Sequence, residues 1–265
     1  MMDMDLDGKV AIVTGGSLGI GKAVARELAK EDAQVVICAR RLNLLQDAAS
    51  EIEQETGAEV LTVAADTTKS DQVANLIDVT VSRFGRVDIL VNNAAVVGGL
   101  LQGSLEESTE ELLSEDLDTK VVGYFRTAQA VAPHMKRRAW GRIVNIGGMS
   151  GRYSGVISGV RNAAVAHLTK TLSGQLAPHG ITVNTVHPGT VRTERTDADY
   201  EAEAAARGIP KSDVEQRAAD AQAIGRIVEA GEIGCLVCFL ASPRAAAITG
   251  EVIAVDGGRG SAVSF

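Results

Sequence analysis

Aromatic side chains are scarce: phenylalanine, tyrosine and tryptophan make up only 3% of the 265 residues. The interior must therefore be built from small aliphatic groups, and 28 glycines point the same way. Cysteine is rare too. Cys38, Cys235 and Cys238 are too few for a disulfide framework. Cys235 and Cys238 form a C-x-x-C inside an apolar stretch, GCLVCFLA, with no second ligand pair, which reads as buried helix packing with no chemistry of its own. No metal site is expected. No apolar run approaches the ~18 residues a membrane span needs, and the N-terminal MMDMDLDGKV has acids where a secretory signal needs bases, so a cytoplasmic location is expected. Bases are outnumbered by acids, 26 to 34, leaving a net charge of −8. That argues against nucleic acid or an anionic membrane as the main partner, and any negative charge on a small ligand must be met locally.

What is present is an ordinary globular balance, 45% apolar and 23% charged, in a length suited to one large core. Seven short β-branched runs read as buried strands: VAIVT (10–14), QVVIC (34–38), EVLTVAA (59–65), DILVNN (88–93), GRIVNI (141–146), ITVNTV (181–186) and EVIAV (251–255). Between them lie helical patterns such as KAVARELAKE, LQDAASEIEQET, SDQVANLIDVTVSRFG and AAVAHLTKTLSGQLAPHG, two of which close on a helix-ending glycine. Alternation of this kind predicts an α/β chain with a Rossmann-type, doubly wound parallel sheet of about seven strands, a single domain over 1–265. The ligand crevice then lies beyond the carboxyl ends of the strands. Residues 190–228, rich in Ala, Glu, Arg and Asp, lack strand pattern and read as a helical insertion, either a lid over the crevice or a solvated surface hairpin.

Directly after the first strand stands Thr14-Gly15-Gly16-Ser17-Leu18-Gly19-Ile20-Gly21, opening a helix near Lys22. Gly15 permits a sharp strand exit, Gly19 lets backbone approach a pyrophosphate, Gly21 allows close helix packing, and the amides around Ser17, Leu18 and Ile20 face the anion at a helix N-terminus. Three further motifs accompany it: Asn92-Asn93-Ala94-Ala95 after the fourth strand, Pro188-Gly189 after the sixth, and a terminal Asp256-Gly257-Gly258. Together they span nearly the whole chain, which resembles the short-chain dehydrogenase/reductase family, Ala95 departing from that family's usual Gly. The resemblance implies that Asp66, with Thr67 beside it, meets the adenine. It also implies that Asn92 and Ala94 line the adenosine and ribose side, and that Pro188, Gly189, Val191 and Thr193 form the nicotinamide turn.

The end of the second strand reads Cys38-Ala39-Arg40-Arg41, with no acid for a ribose 2′-OH. Arg40 and Arg41 suit a 2′-phosphate through charge-assisted hydrogen bonds, so NADP(H) is expected over NAD. The alternative is a solvated helix start, and Leu18 stands where some NADP-binding relatives carry a base.

The family's proton machinery is an Asn, a Ser, and a Tyr and Lys four residues apart; a phenol needs the neighbouring ammonium to bring its pKa towards working pH. Alignment on that pattern puts Lys120, Gly148, Ser158 and Asn162 at these positions, and no Tyr-x-x-x-Lys exists anywhere, since Ala128, Ile157 and Ala204 follow Tyr124, Tyr153 and Tyr200 at that spacing. Ser158 and Asn162 still share a helical face. The candidates for relocated chemistry are Lys120, expected to hydrogen-bond Asn162 and polarise a carbonyl, Tyr153 as proton donor, and His187 beside the nicotinamide turn, a position that tolerates many residue types. Arg161 reads either as a binder of an acidic substrate group or as a surface or dimer-contact residue.

Three accounts of function follow. One is an oxidoreductase of a carbonyl or alcohol with non-standard proton donors, favoured by retention of Pro188, Gly189 and Thr193. The others are a coenzyme-binding sensor or partner subunit without turnover, and a non-redox enzyme on the same fold. The resemblance also implies a homodimer or homotetramer built through the helices around 106–135 and 155–178.

Overall fold

A computed structural model describes residues 3–96 and 98–259. The chain runs β1 (Val10–Thr14), α1 (Gly19–Lys30), β2 (Gln34–Ala39), α2 (Leu42–Thr56), β3 (Val60–Ala64), α3 (Ser70–Phe84) and β4 (Ile89–Asn92). Then follow α4 (Glu110–Leu117), α5 (Gly123–Arg137), β5 (Gly141–Ile146), α6 (Gly159–Leu176) and β6 (Ile181–Pro188). The last part holds β7 (Val191–Arg192), α7 (Glu194–Arg207), α8 (Lys211–Asp220), β8 (Val228–Glu229), α9 (Ala230–Ala241) and β9 (Val252–Val255). Seven strands form one parallel sheet in the order β3-β2-β1-β4-β5-β6-β9, which is the expected doubly wound architecture. The order reverses between β1 and β4, and crevices open at such a switch point.

Successive side chains of each strand feed opposite faces, so the apolar runs build two cores. Ala11, Val13, Val35 and Ile37 pack with Val24 and Leu28 of α1, Leu45 and Ile52 of α2, and Ile233 and Val237 of α9. Ile12, Val36 and Leu90 pack with Leu76 of α3, Val131 and Met135 of α5, and Leu176 of α6. Cys38 is buried in the second core and Cys238 in the first, whereas Cys235 is exposed. The expectation of burial therefore holds for one member of the C-x-x-C only, because two residues three apart on one helix straddle the edge of its apolar face. No described helix is long and apolar enough to cross a membrane.

Two features differ from plain alternation. The stretch read as lacking strands is bracketed by β7 and β8, which pair in a small parallel ladder, Val191 with Val228 and Arg192 with Glu229. Between them α7 and α8 enclose a minor core of Tyr200, Ala204, Val214, Ala219 and Ile227. The second is a single π-turn, Asp118–Val122, that joins α4 to α5 and carries Lys120. Turns of this kind insert an extra residue and commonly lie at functional sites.

Candidate active site

Where β1 and β4 diverge, a cavity of about 590 Å³ opens at the carboxyl ends of the strands, a volume fit for a cofactor-sized ligand. Its floor is main chain. Gly15 and Gly19 adopt φ of +66° and +57°, the left-handed region that only glycine enters freely. A Cβ on Gly21 would collide with the carbonyl of Gly15 and the amide of Asn93. Leu18 precedes α1 without a side-chain cap, and the first turn carries no acid, so the helix presents open N–H groups to the cavity. One of them already holds an anion: Gly19 N–H donates to Glu194 Oε2 at 3.0 Å, and Glu194 Oε1 is 2.7 Å from Lys22 Nζ. Burial works against that carboxylate, but Lys22 and the Gly19 amide outweigh it and hold its pKa below the usual range. A cradle that seats a carboxylate oxygen is chemically fit for a diphosphate.

Ser17, Leu18, Gly19, Ile20, Arg40, Arg41, Asp66, Thr67, Ala94, Pro188, Gly189 and Thr193 all line this cavity. Burial alone would raise the Asp66 pKa, but hydrogen bonds from Thr68 and the charges of Arg40 and Lys69 bring it down, so it presents an acceptor. Asn92 and Val191 stand elsewhere. Val191 is buried in the core. Asn92, expected beside the adenosine, turns inward: Thr127 Oγ1 donates to its Oδ1 at 2.6 Å and its Nδ2 donates to Asn145 Oδ1 at 2.9 Å. Asn145 Nδ2 continues to Thr169 Oγ1 at 2.8 Å, and Thr169 to Thr185 at 2.6 Å. The side chain at the crevice is that of Asn93, whose Nδ2 donates to the carbonyls of Thr14 and Gly15, tying β4 to the glycine turn.

At the other end, beside Gly147 and Gly148, the proton-transfer candidates separate. Lys120 and Asn162 line the cavity. Lys120 is 4% exposed and its Nζ donates to Gly147 O at 2.9 Å, where the sequence had suggested Asn162. Burial first, then the charge of Arg161, push its pKa down to about 7 against the pull of Asp116. Asn162 Nδ2 donates to Ser150 Oγ at 2.8 Å, and a Cβ on Gly148 would lie 2.9 Å from that Nδ2, so Asn162 takes the space a side chain at 148 would need. Ser158 is buried and its Oγ accepts the Leu101 amide at 2.9 Å, facing the loop and not the cavity. Tyr153 donates to Arg259 O at 2.7 Å on the exterior and does not line the cavity.

His187 lies beneath Gly147, where a Cβ would strike its ring; it too is outside the cavity lining. Neither ring nitrogen has a hydrogen-bond partner among the described residues. Burial, with the charges of Arg152 and Lys120, pushes its pKa down to about 4, so it is a neutral packing group at neutral pH. In the unfolded chain an imidazole titrates near 6.5. Its contribution to stability is thus complete above about pH 6.5 and is lost as pH falls towards 4, a decline of about 3 kcal/mol at 1.36 kcal/mol per pH unit. His187→Gln is expected to make thermal denaturation less sensitive to acid between pH 7 and 4.5. An unchanged slope would mean that the imidazole is charged in the folded state.

The burial of Arg161 and its pairing with Asp116 were hidden from the sequence. The two residues are 4% and 1% exposed and joined at 2.6 Å between Nη1 and Oδ1, so Arg161 is no surface residue. The signal for Asp116 was its spacing of four before Lys120.

A family model described as enoyl-(acyl carrier protein) reductase matches residues 15–259. The 3-oxoacyl-acyl-carrier-protein reductase of Vibrio cholerae is 36% identical, over 96% of this chain and 98% of its own length. An NADPH-dependent reductase of Bacillus subtilis is 32% identical, over 94% and 97%. The crystal structure of L-sorbose reductase from Gluconobacter frateurii, complexed with NADPH and L-sorbose, superposes with a TM-score of 0.92 at 31% identity, over 97% of this chain and 98% of that one.

Proposed function

The chain belongs to the short-chain dehydrogenase/reductase family, and from that premise we propose that it interconverts a carbonyl compound and its alcohol with NADP(H), using Lys120 as proton carrier. The coenzyme, when bound, supplies or accepts the hydride. The diphosphate would rest on the amides of Ser17 to Gly21, and Arg40 and Arg41 would meet the 2′-phosphate. Thr193, Pro188 and Gly189, which line the same cavity, would border the nicotinamide end.

The observation that carries the reading is one buried ammonium on the cavity wall. Lys120 spends a single N–H on Gly147 O, leaving two donors for the substrate oxygen. As negative charge develops on that oxygen, Lys120 Nζ gives up a proton to it and is recharged from solvent; the reverse reaction runs the proton back. Ser150 assists. Its hydroxyl accepts from Asn162, so its own hydrogen is free to point at the same oxygen. Asn162 is a positioning residue, and Tyr153, Ser158 and His187 support the walls. The segment 190–228 serves as lid through α7 and α8. Exposed Val122 and Phe125 on the α4–α5 helix and Val160 on α6 support self-association through those helices.

A carbonyl-compound screen with stereospecifically deuterated NADPH, and NADH in parallel, tests this. One diastereotopic deuterium should appear on the product carbon. Coenzyme binding with no labelled product from any carbonyl class would replace this reading with a sensor. Glu194 supplies a second check, since its carboxylate must leave Gly19 and Lys22 before the diphosphate can take both. Glu194→Gln is expected to tighten NADPH roughly two- to tenfold by calorimetry, the worth of one net hydrogen bond of about 0.5–1.5 kcal/mol. Weaker binding would show that Glu194 supports the coenzyme.

A further inference from the structure

The wall around Lys120 holds more positive charge than it neutralises. Lys120, Arg161 and Asp116 are all buried, and Asp116 is the one carboxylate buried with the two cations. Its Oδ1 is taken by Arg161, while Asp116 Oδ2, Arg161 Nε and Asn162 Oδ1 have no hydrogen-bond partner among the described residues. Glu115 also lines the cavity but is exposed at its rim. Among the described residues the other groups facing Lys120 add no negative charge: His187 from β6 is neutral, and Arg152 beyond β5 is a cation that acts on His187. With Lys120 protonated, this buried group carries one uncompensated positive charge, a costly arrangement unless an anion joins it.

Arg161 and Lys120 both line the cavity and act electrostatically on each other. An anion that satisfies them must therefore sit close to the atom that receives the proton. We propose that this wall recognises a carboxylate and that the substrate is a 2-oxo acid, its carboxylate held by Arg161 and Lys120 and its adjacent carbonyl set for reduction. This rests on the oxidoreductase reading above. The reaction balances as hydride from NADPH to the carbonyl carbon and a proton from Lys120 to its oxygen, giving a 2-hydroxy acid and NADP⁺. The carboxylate does a second job. By neutralising the excess charge it favours the ammonium form of Lys120, so the proton donor is loaded when its substrate is present.

Oxamate, a 2-oxo acid analogue that cannot be reduced, and its neutral counterpart oxamide are the probes, titrated by calorimetry into NADPH-saturated protein at pH 8. Oxamate should bind at least tenfold more tightly than oxamide. It should also draw protons from buffer, seen as a binding heat that changes between buffers of different ionisation enthalpy. The double variant Lys120→Met with Arg161→Gln removes both cations that would hold the carboxylate, and should lose that preference while still binding NADPH. Equal affinity for the two probes in the unmodified protein, which needs no variant to fold, overturns the proposal. So does an undiminished preference in the double variant. If oxamate selectivity and its loss are both seen but no 2-oxo acid acquires deuterium, the carboxylate site stands and the oxidoreductase reading falls.

Discussion

Replacing Lys120 by methionine is expected to lower kcat for carbonyl reduction by about 10²- to 10⁴-fold, the usual worth of a positioned acid, with NADPH affinity little changed. The pH profile gives the sharper test. Lys120 titrates near 7 because burial, then Arg161, depress it. Reduction requires the ammonium, so its rate should be high below pH 7 and fall tenfold per unit above it. Alcohol oxidation requires the free amine and should rise through the same pH. Lys120→Met should flatten both limbs, and methionine fits the apolar stem, so the melting temperature need not drop. A variant with the parent kcat and both limbs intact would remove Lys120 from the chemistry.

The second large effect concerns coenzyme choice. Arg40→Ala with Arg41→Ala should weaken NADPH by roughly 10- to 100-fold, the worth of losing charged hydrogen bonds of about 1.5–3 kcal/mol, and leave NADH nearly unaffected. Neither guanidinium makes an ion pair among the described residues, and both line the cavity. They are thus free to meet a phosphate without breaking an existing contact. The gap between the two coenzymes should shrink in high salt because these side chains are exposed. Equal loss for NADPH and NADH would mean that the arginines serve the helix start and not the 2′-phosphate.

The sheet was legible because buried parallel strands are near-continuous β-branched runs. GRIVNI forms β5 over the expected residues, and β6 runs on through Pro188. Strands β7 and β8 have two residues each, too short to show a period, and they exist because the ends of one insertion meet. The coenzyme loop was legible for a different reason. Its chemistry lies in main-chain conformation, and glycine marks that conformation locally.

The far end of the site was not local. Arg161 is read as buried only when Asp116, 45 positions away, is found beside it. The role of Lys120 depends on a π-turn that heptad or α-helical spacing does not register. Asn92 and Asn93 are adjacent and chemically identical, and the strand end sends one inward and the other to the crevice. His187 was readable as an imidazole near the turn, but its place beneath Gly147, outside the cavity lining, was not.

The chain of Thr127, Asn92, Asn145, Thr169 and Thr185 also bears on how the sheet assembles. Strands such as Ile89-Leu90-Val91 and Ile143-Val144 are apolar on both faces, so sliding one past the next by two residues would exchange like for like and meet little resistance. Asn92 is opposite Asn145, and Asn145 opposite Thr185, in a single alignment. Any slipped pairing strands amides in hydrocarbon at about 1–3 kcal/mol per orphaned group. These five side chains work as a key and lock for the middle of the molecule, rejecting shifted assemblies that oily strands alone would accept.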